Sequence, residues 1–186
     1  TIKHMGRTLS EKIPGFVNPA RDVKTPKTNP AKPKSLTDNE ISAVRQRAKQ
    51  RIDQRMSFNR LRNETLFNLL IDTGLRADEV RMLKLGQLDE DLEWIRNVRT
   101  KGRRYRNVYI TSAMRPQLAD YLKLREEKLL TIYSKLPKNE SRALPLFISV
   151  YNAVPGEPES FLMGAKSIWR AVNELSAETR LHPHLL

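Results

Sequence analysis

Apolar residues recur at helical spacing in four long parts of the chain, which predicts four of its helices. The first begins after Thr37, because Thr37 and Glu40 have the spacing of a capping box and Leu36 is placed as a hydrophobic staple. The apolar face of this helix consists of Ile41, Val44, Ala48 and Ile52. The other three helices are expected at residues 59–73, 113–133 and 160–176. Residues 1–12 have no clear period, and residues 135–142 are expected to form a polar loop.

The spacing of apolar residues changes to that of β-strands between residues 94 and 111. Residues 94–98 and 107–111 are short runs rich in β-branched and aromatic side chains. Gly102 lies between them and can supply the positive φ of a hairpin turn, so Lys101 stands at the hairpin tip. Residues 144–149 are predicted as a further short, buried strand. The pattern predicts a mainly α fold with a small antiparallel β-hairpin, in the α+β class.

The sequence Thr-Gly-Leu-Arg at residues 73–76 marks a corner between two helices. Gly74 is placed to end the apolar helix before it, because glycine adopts the left-handed conformation at little steric cost. The next helix then begins near Arg76 and turns Val80 toward the core. An arginine held beside a core is suited to binding one phosphate. On local chemistry alone, an ordinary ion pair with Asp78 or Glu79 is the favoured interpretation, because most exposed arginines have no further role.

The composition favours a polyanionic partner. The 186 residues include 34 Lys+Arg and 21 Asp+Glu, a formal net charge of +13, and the sequence pI is near 10.2. Nucleic acid is the first candidate and a membrane surface the second, but no apolar run approaches the ~20 residues of a spanning helix. The absence of cysteine excludes disulfides and thiolate metal sites. Because His4, His182 and His184 also lack metal-site spacing, we expect no metal and no cofactor.

Residues 18–34 differ in composition from the rest of the chain. They contain four prolines, five basic residues and no apolar period, which is typical of an extended, semi-rigid linker. Lys27, Lys32 and Lys34 could follow a phosphate backbone, although a solvated tether is an equally good interpretation. We therefore expect a remnant or tail of an upstream domain at residues 1–17, the linker at 18–34, and a folded domain at 35–186.

The hairpin tip carries a dense group of cations. Five of the eight residues at 99–106 are basic: Arg99, Lys101, Arg103, Arg104 and Arg106. Such crowding destabilises a short ribbon through repulsion unless an anion relieves it. We expect the four arginines to contact nucleic acid, because a simple solvated turn explains Lys101 and Gly102 but not the further arginines.

These features occur in a characteristic order. A basic linker is followed by a capped helix, the motif T-G-L-R-x-x-E at residues 73–79, a hairpin lysine, a Leu-Phe run and a terminal H-P-H-L-L. From about residue 18 to residue 186, this order resembles the catalytic domain of the tyrosine recombinases, the integrases of phages and transposons. The resemblance implies an enzyme that breaks and rejoins double-stranded DNA through a 3′-phosphotyrosyl intermediate. It also implies assembly as a dimer or tetramer on DNA in the prokaryotic cytoplasm, at the nucleoid.

The resemblance implies a role for each of four residues. Arg76 matches the first of the two arginines that hold the scissile phosphate, and Glu79 matches the acidic residue that supports that arginine. Lys101 matches the hairpin lysine, which acts as the general acid toward the leaving 5′-hydroxyl. His184 matches the histidine of the H-x-x-R motif, which could serve as a base or as a hydrogen-bond donor.

The remaining catalytic residues of the family have no match in this sequence. The second arginine would follow Leu186, the nucleophilic tyrosine would lie farther on, and all five tyrosines precede His184. We therefore expect a catalytic domain that is incomplete at its C-terminus and cannot cleave DNA alone. Two functions stay open, a site-specific recombinase of a mobile element and a non-catalytic, recombinase-like DNA-binding module. A general RNA-binding domain fits the charge but leaves T-G-L-R-x-x-E unexplained.

Overall fold

The computed structural model describes residues 2–23, 37–54, 57–100, 102, 104–133 and 135–175, with the backbone alone at 2–3 and 51–54. The chain divides into two compact units, Thr1–Pro33 and Lys34–Leu186. The first unit contains helix α1, Ile2–Lys12, which was not expected, although Ile2, Met5 and Leu9 lie at helical spacing in the sequence. At Gly6 the helix lies so close to the side chain of Asn18 that an added Cβ would collide with it.

The second unit is mainly helical and contains one antiparallel hairpin, which confirms the predicted fold class. Its helices are α2 (Asp38–Gln54), α3 (Phe58–Thr73), α4 (Ala77–Arg81), α5 (Arg115–Leu130), α6 (Lys138–Ala143) and α7 (Ala165–Leu175). Its strands are β1 (Trp94–Arg99) and β2 (Tyr105–Tyr109), and 3₁₀ turns lie at Leu85–Gln87 and Pro158–Phe161.

Helix α2 begins with the predicted capping box. The backbone N–H of Thr37 donates to Glu40 Oε2 at 2.8 Å, and the N–H of Glu40 donates to Thr37 Oγ1 at 3.3 Å. The hydrogen bonds from Thr37 lower the pKa of the Glu40 carboxyl below its usual range. Of the predicted apolar face, Val44 and Ala48 are buried and Ile41 is half-buried, while the side chain of Ile52 lies outside the described residues.

Helix α3 lies at the centre of the core. Its residues 65–70 are all buried, and it contacts α2, α5 and α7. A helix that is apolar over most of its circumference is expected to be covered by other elements on most sides. This position matters for the candidate site, because α3 ends at Thr73, directly before the corner at Arg76.

A bulge in the hairpin decides which side chains face inward. Ile95 pairs with Val108 and Val98 pairs with Arg106, so β1 uses three residue steps where β2 uses two. Ile95, Val98 and Val108 are all buried. Because residues directly opposite each other, and residues two apart in one strand, share a face, Arg106 lies on this inward face.

Polar side chains hold the bulge in place. Asn97 occupies the left-handed region at φ 54°, a conformation that asparagine tolerates better than most residues. The side-chain amide of Gln87 donates to the carbonyl oxygens of Arg96 at 3.0 Å and Asn97 at 2.9 Å. The N–H of Asn97 donates to the side-chain oxygen of Asn107 at 3.0 Å. These bonds satisfy backbone groups that the bulge removes from the strand ladder.

Residues 144–149 are largely buried but do not form the regular strand that the sequence predicts. The segment makes only isolated bridges, at Pro145 and Ile148, and buried side chains of α5 bind two of its carbonyl groups. The Tyr121 hydroxyl donates to the carbonyl oxygen of Leu146 at 3.0 Å, and Arg125 Nη2 donates to that of Pro145 at 2.8 Å. Proline also lacks the N–H that a strand ladder would use.

Three other predictions are wrong at element boundaries. The expected polar loop at residues 135–142 contains α6. Strand β2 lies two residues earlier than expected, because the N–H of Thr111 donates to Asp72 Oδ2 at 3.0 Å instead of continuing the ladder. The last helix begins at Ala165, since Pro158–Phe161 form a 3₁₀ turn before it.

Candidate functional site

The corner at residues 73–76 is built as the sequence predicts. Gly74 adopts φ 61°, and its N–H donates to the carbonyl oxygen of Leu70 at 3.0 Å, which ends α3. Leu75 is fully buried, and Arg76 is the N-cap residue of α4. The backbone of Arg76 is therefore fixed by the core on one side and by a helix on the other.

The carboxylate of Glu79 holds Arg76 at two points. Oε2 accepts the backbone N–H of Arg76 at 2.9 Å, and Oε1 accepts Nη1 of the same residue at 3.3 Å. The side chain of Glu79 is only 6% exposed, whereas that of Arg76 is 70% exposed. Glu79 is thus a buried anchor, and the guanidinium of Arg76 presents most of its surface to solvent.

Arg106 brings a second cation to the same carboxylate. Its Nη2 lies 3.1 Å from Glu79 Oε2, and its side chain is 44% exposed. The two residues are 27 positions apart in the sequence, so the contact joins α4 to β2. This ion pair was not expected, although the sequence holds a signal for it. Arg106 lies two residues before the apolar Val108 in a strand, and such residues share a face.

An open cleft of about 440 Å³ lies beside Arg76. Its lining consists of Arg76, Asp78, Glu79, Arg81, Met82, Arg99 and Thr100. Asp78 is paired with Nε of Arg81 at 2.9 Å, while Glu79 is shared between Arg76 and Arg106. Arginines therefore outnumber carboxylates at the cleft, and an anion is the favoured occupant.

The structure gathers part of the predicted site and leaves another part outside the described residues. Four predicted residues meet at or beside the cleft: Arg76, Glu79, Arg99 and Arg106. Arg104 is exposed on the hairpin, and its carbonyl oxygen accepts the N–H of Thr100 at 2.8 Å. The predicted residues outside the described part are Lys27, Lys32, Lys34, Lys101, Arg103 and His184. Lys101 directly follows Thr100, the last described residue of the cleft lining on the hairpin.

None of the five tyrosines lines the cleft beside Arg76. Tyr121 is fully buried, and desolvation raises its pKa to about 12. The hydroxyl of Tyr109 accepts a hydrogen bond from Nη2 of Arg115 at 2.8 Å, and that of Tyr133 accepts one from the N–H of Gly156 at 3.3 Å. Tyr105 and Tyr151 are exposed. Tyr105 pairs across the hairpin with Arg99, which lines the cleft, but is not itself among the lining residues.

The described site residues are arginines and one buried carboxylate, which suit direct binding of an anion. In the described part of the chain, no group of three or more His, Cys, Asp or Glu side chains is arranged to hold a metal ion. Within the same ranges, no helix combines the length and apolar character needed to cross a bilayer.

Comparison with known proteins relates this chain to a family. Residues 34–186 match the model of the Phage integrase family. Tyrosine recombinase XerS from three Streptococcus agalactiae strains, of serotypes III, V and Ia, is 28% identical to this chain over 130 residues. That alignment covers 69% of this chain and 33% of each relative, so the chain spans about a third of the length of these curated relatives.

A solved structure has the same fold. A crystal structure of XerA recombinase aligns with a TM-score of 0.57 at 20% sequence identity. The alignment covers 99% of this chain and 56% of that chain. At this identity the likeness shows the fold, which agrees with the helical domain and single hairpin described above.

Proposed function

The chain belongs to the phage integrase family, and we propose that it forms the catalytic domain of a site-specific DNA recombinase. The proposed reaction breaks and rejoins DNA strands through a 3′-phosphotyrosyl intermediate, in the integration or excision of a phage, transposon or other mobile element. Double-stranded DNA is the proposed partner, with self-assembly into a dimer or tetramer on that DNA. The proposed location is the prokaryotic cytoplasm, at the nucleoid.

The observation that supports this proposal most strongly is the arrangement of Arg76 and Glu79. A buried carboxylate fixes an exposed guanidinium at a rigid corner, next to a cleft in which arginines predominate. A planar, permanently charged fork is suited to two oxygens of one phosphodiester. Fixed cations of this kind stabilise the charge that develops when a phosphoryl group is transferred.

In the proposed reaction, a tyrosine hydroxyl attacks the scissile phosphorus and the bond to the 5′-oxygen breaks. Arg76 binds the non-bridging oxygens of this phosphate, and Glu79 supports Arg76. Lys101 donates a proton to the leaving 5′-oxygen, and His184 acts as base or hydrogen-bond donor. One phosphodiester bond replaces another, so the reverse attack by a 5′-hydroxyl rejoins the strand. Lys27, Lys32, Lys34, Arg99, Arg103 and Arg104 are proposed to contact the DNA backbone.

The nucleophile is not expected among the five tyrosines of this sequence. All of them precede His184, whereas the family resemblance requires one that follows it. We therefore propose that these 186 residues bind DNA without cleaving it, and that the tyrosine belongs to sequence that follows His184 in the complete reading frame or to another subunit.

Trapping of a covalent protein–DNA adduct tests the proposed function. The substrate is a nicked duplex that carries the protein's recombination site, and EDTA is present. The protein encoded by the complete reading frame should form the adduct, and the 186-residue chain should bind the same duplex without forming it. An adduct on the 186-residue chain would contradict the proposed absence of a nucleophile. Binding without an adduct by both proteins would favour the non-catalytic DNA-binding module instead.

A further inference from the structure

We propose that Arg106 is a positioning residue that shares the charge of Glu79 and thereby keeps the guanidinium of Arg76 available to a DNA phosphodiester. The inference rests on the proposed function, because it concerns the arginine that binds the phosphate. It replaces the direct nucleic-acid contact that the sequence predicts for Arg106 with a contact inside the protein.

Arg106 lies on the inward face of the hairpin. It stands opposite Val98 and two residues before Val108, both of which face the core. A solvated phosphate contact would be expected on the outward face of the ribbon. The inward face instead directs Nη2 of Arg106 to Glu79 Oε2, 3.1 Å away.

The charges around Glu79 are unequal in number. One carboxylate accepts hydrogen bonds from two guanidinium groups, those of Arg76 and Arg106. The three side chains together therefore keep one positive charge that no member of the cluster neutralises. A phosphodiester, which carries one negative charge, would complete the balance at the cleft.

Removal of Arg106 would change how Glu79 and Arg76 contact each other. A buried carboxylate is costly unless cations and hydrogen bonds compensate it. Oε2 of Glu79 would lose its guanidinium partner, and the guanidinium of Arg76, already on Oε1, would be drawn into the bidentate contact that arginine and carboxylate favour. The remaining pair would be neutral overall, and Arg76 would bind a phosphate less well.

A double-mutant cycle on the salt dependence of DNA binding tests this role, and it requires no catalytic activity. The affinity of the 186-residue chain for a short duplex is measured against salt for the wild type, Arg76→Ala, Arg106→Ala and the double variant. Log affinity falls as log salt rises, and each single substitution should reduce the steepness of this fall by about 0.9, the value for one neutralised phosphate. The double variant should lower it by the same ~0.9, because both changes act on the same phosphate. A decrease of about 1.8 in the double variant would show that Arg106 binds its own phosphate, and would overturn the proposal.

Arg96→Ala is the matched control. Arg96 lies on the same hairpin and is also paired with a carboxylate, Asp89, at 3.4 Å. Its removal deletes the same charge and one ion pair without touching Glu79, so the slope should not change. An equal decrease of the slope in Arg96→Ala would assign the effect to the overall charge of the hairpin and overturn the role of Arg106.

Two further variants separate positioning from folding. Arg106→Gln keeps a hydrogen-bond donor toward Glu79 but removes the charge, so it should reproduce the slope of Arg106→Ala even if the alanine variant folds poorly. Arg106→Lys keeps the charge and should restore most of the wild-type slope. If Arg106→Gln instead keeps the wild-type slope, the charge balance is not the cause and the proposal fails.

Failure of this inference and failure of the proposed function give different results. A wild-type chain that binds the duplex with a clear salt dependence, together with additive decreases in the cycle, contradicts only the role of Arg106. A wild-type chain with no salt-dependent binding to duplex DNA contradicts the proposed function, and the role of Arg106 falls with it.

Discussion

Among single residues, Tyr121 makes both hydrogen bonds and an aromatic contact in the core. Its hydroxyl donates to the carbonyl oxygen of Leu146 at 3.0 Å and accepts the N–H of Ile148 at 3.3 Å. Its ring stacks on Phe147 with centroids 5.1 Å apart. The pKa of about 12, raised by burial, keeps the hydroxyl protonated through neutral and mildly alkaline pH. Tyr121 thus binds the backbone of residues 144–149 at two points, together with Arg125 at Pro145.

Replacing Tyr121 by phenylalanine should lower the free energy of unfolding by about 1–3 kcal/mol, because two buried backbone groups lose their partner. Urea denaturation followed by circular dichroism measures the change. The control is Tyr151→Phe, since that side chain is 82% exposed and its replacement should matter by no more than about 0.5 kcal/mol. Equal effects of the two substitutions would contradict the structural role of the Tyr121 hydroxyl.

The residue-level parts of the site differ in how far the sequence predicts them. The end of α3 at Gly74 follows from local chemistry, because a glycine after an apolar helix has few other roles. The link between Glu79 and Arg106 does not, because it depends on how β2 lies against α4, 27 residues away in the sequence. Alternation along β2 indicates the face of Arg106 but not which carboxylate it meets.

Among the elements, the two strands of the hairpin are predicted from the sequence, whereas the bulge in β1 is not. Both strands are expected from their β-branched and aromatic residues, and both are present. The bulge at Asn97 leaves no such signal, because it depends on the side chains of Gln87 and Asn107. Without the extra residue in β1, Ile95 and Val98 would face opposite sides. The bulge therefore sets the inward face on which Arg106 meets Glu79.

The proposed DNA contact of the hairpin tip gives a prediction at this scale. Replacing Arg103 and Arg104 by alanine should reduce the slope of log affinity against log salt by up to about 1.8, or about 0.9 for each phosphate that is no longer neutralised. The melting temperature should change little, because the replaced side chains are expected to face solvent. Fluorescence anisotropy with a labelled duplex measures the slope.

The control for this prediction removes two cations from another surface. Lys123 and Lys138 line a separate cleft between α5 and α6. Their joint replacement by alanine leaves the net charge equal to that of the hairpin variant. An equal change of slope in both double variants would mean that the total charge, rather than the hairpin tip, determines DNA affinity.

For the whole molecule, the sequence predicts the fold class and the order of the elements better than their contacts. The capped helix α2, the buried helix α3 and the hairpin each follow from a local period or cap. The expected strand at residues 144–149 is wrong, because its backbone groups are divided between isolated bridges to two other segments and buried side chains of α5. Helix α1 is missed, although Ile2, Met5 and Leu9 lie at helical spacing. Local signals therefore predict elements, whereas long-range polar contacts decide how they meet.

The central claim for the whole molecule is that Arg76 and Lys101 act on one scissile phosphate of DNA, the first as its ligand and the second as the acid for the leaving oxygen. The most direct measurement is the rate of covalent adduct formation by the protein encoded by the complete reading frame. The rate is compared on a nicked duplex with the ordinary 5′-oxygen and on one with a bridging sulfur at that position. A thiolate leaves without a general acid, so the sulfur substrate bypasses only the second role.

The account predicts different outcomes for the two substitutions. Lys101→Ala should slow adduct formation on the oxygen substrate and regain the wild-type rate on the sulfur substrate. Arg76→Ala should slow it ~100-fold or more on both substrates, the typical cost of removing one preorganised group that stabilises the transition state. Rescue of Arg76→Ala by sulfur, or failure of sulfur to rescue Lys101→Ala, would contradict the division of roles on which the account depends.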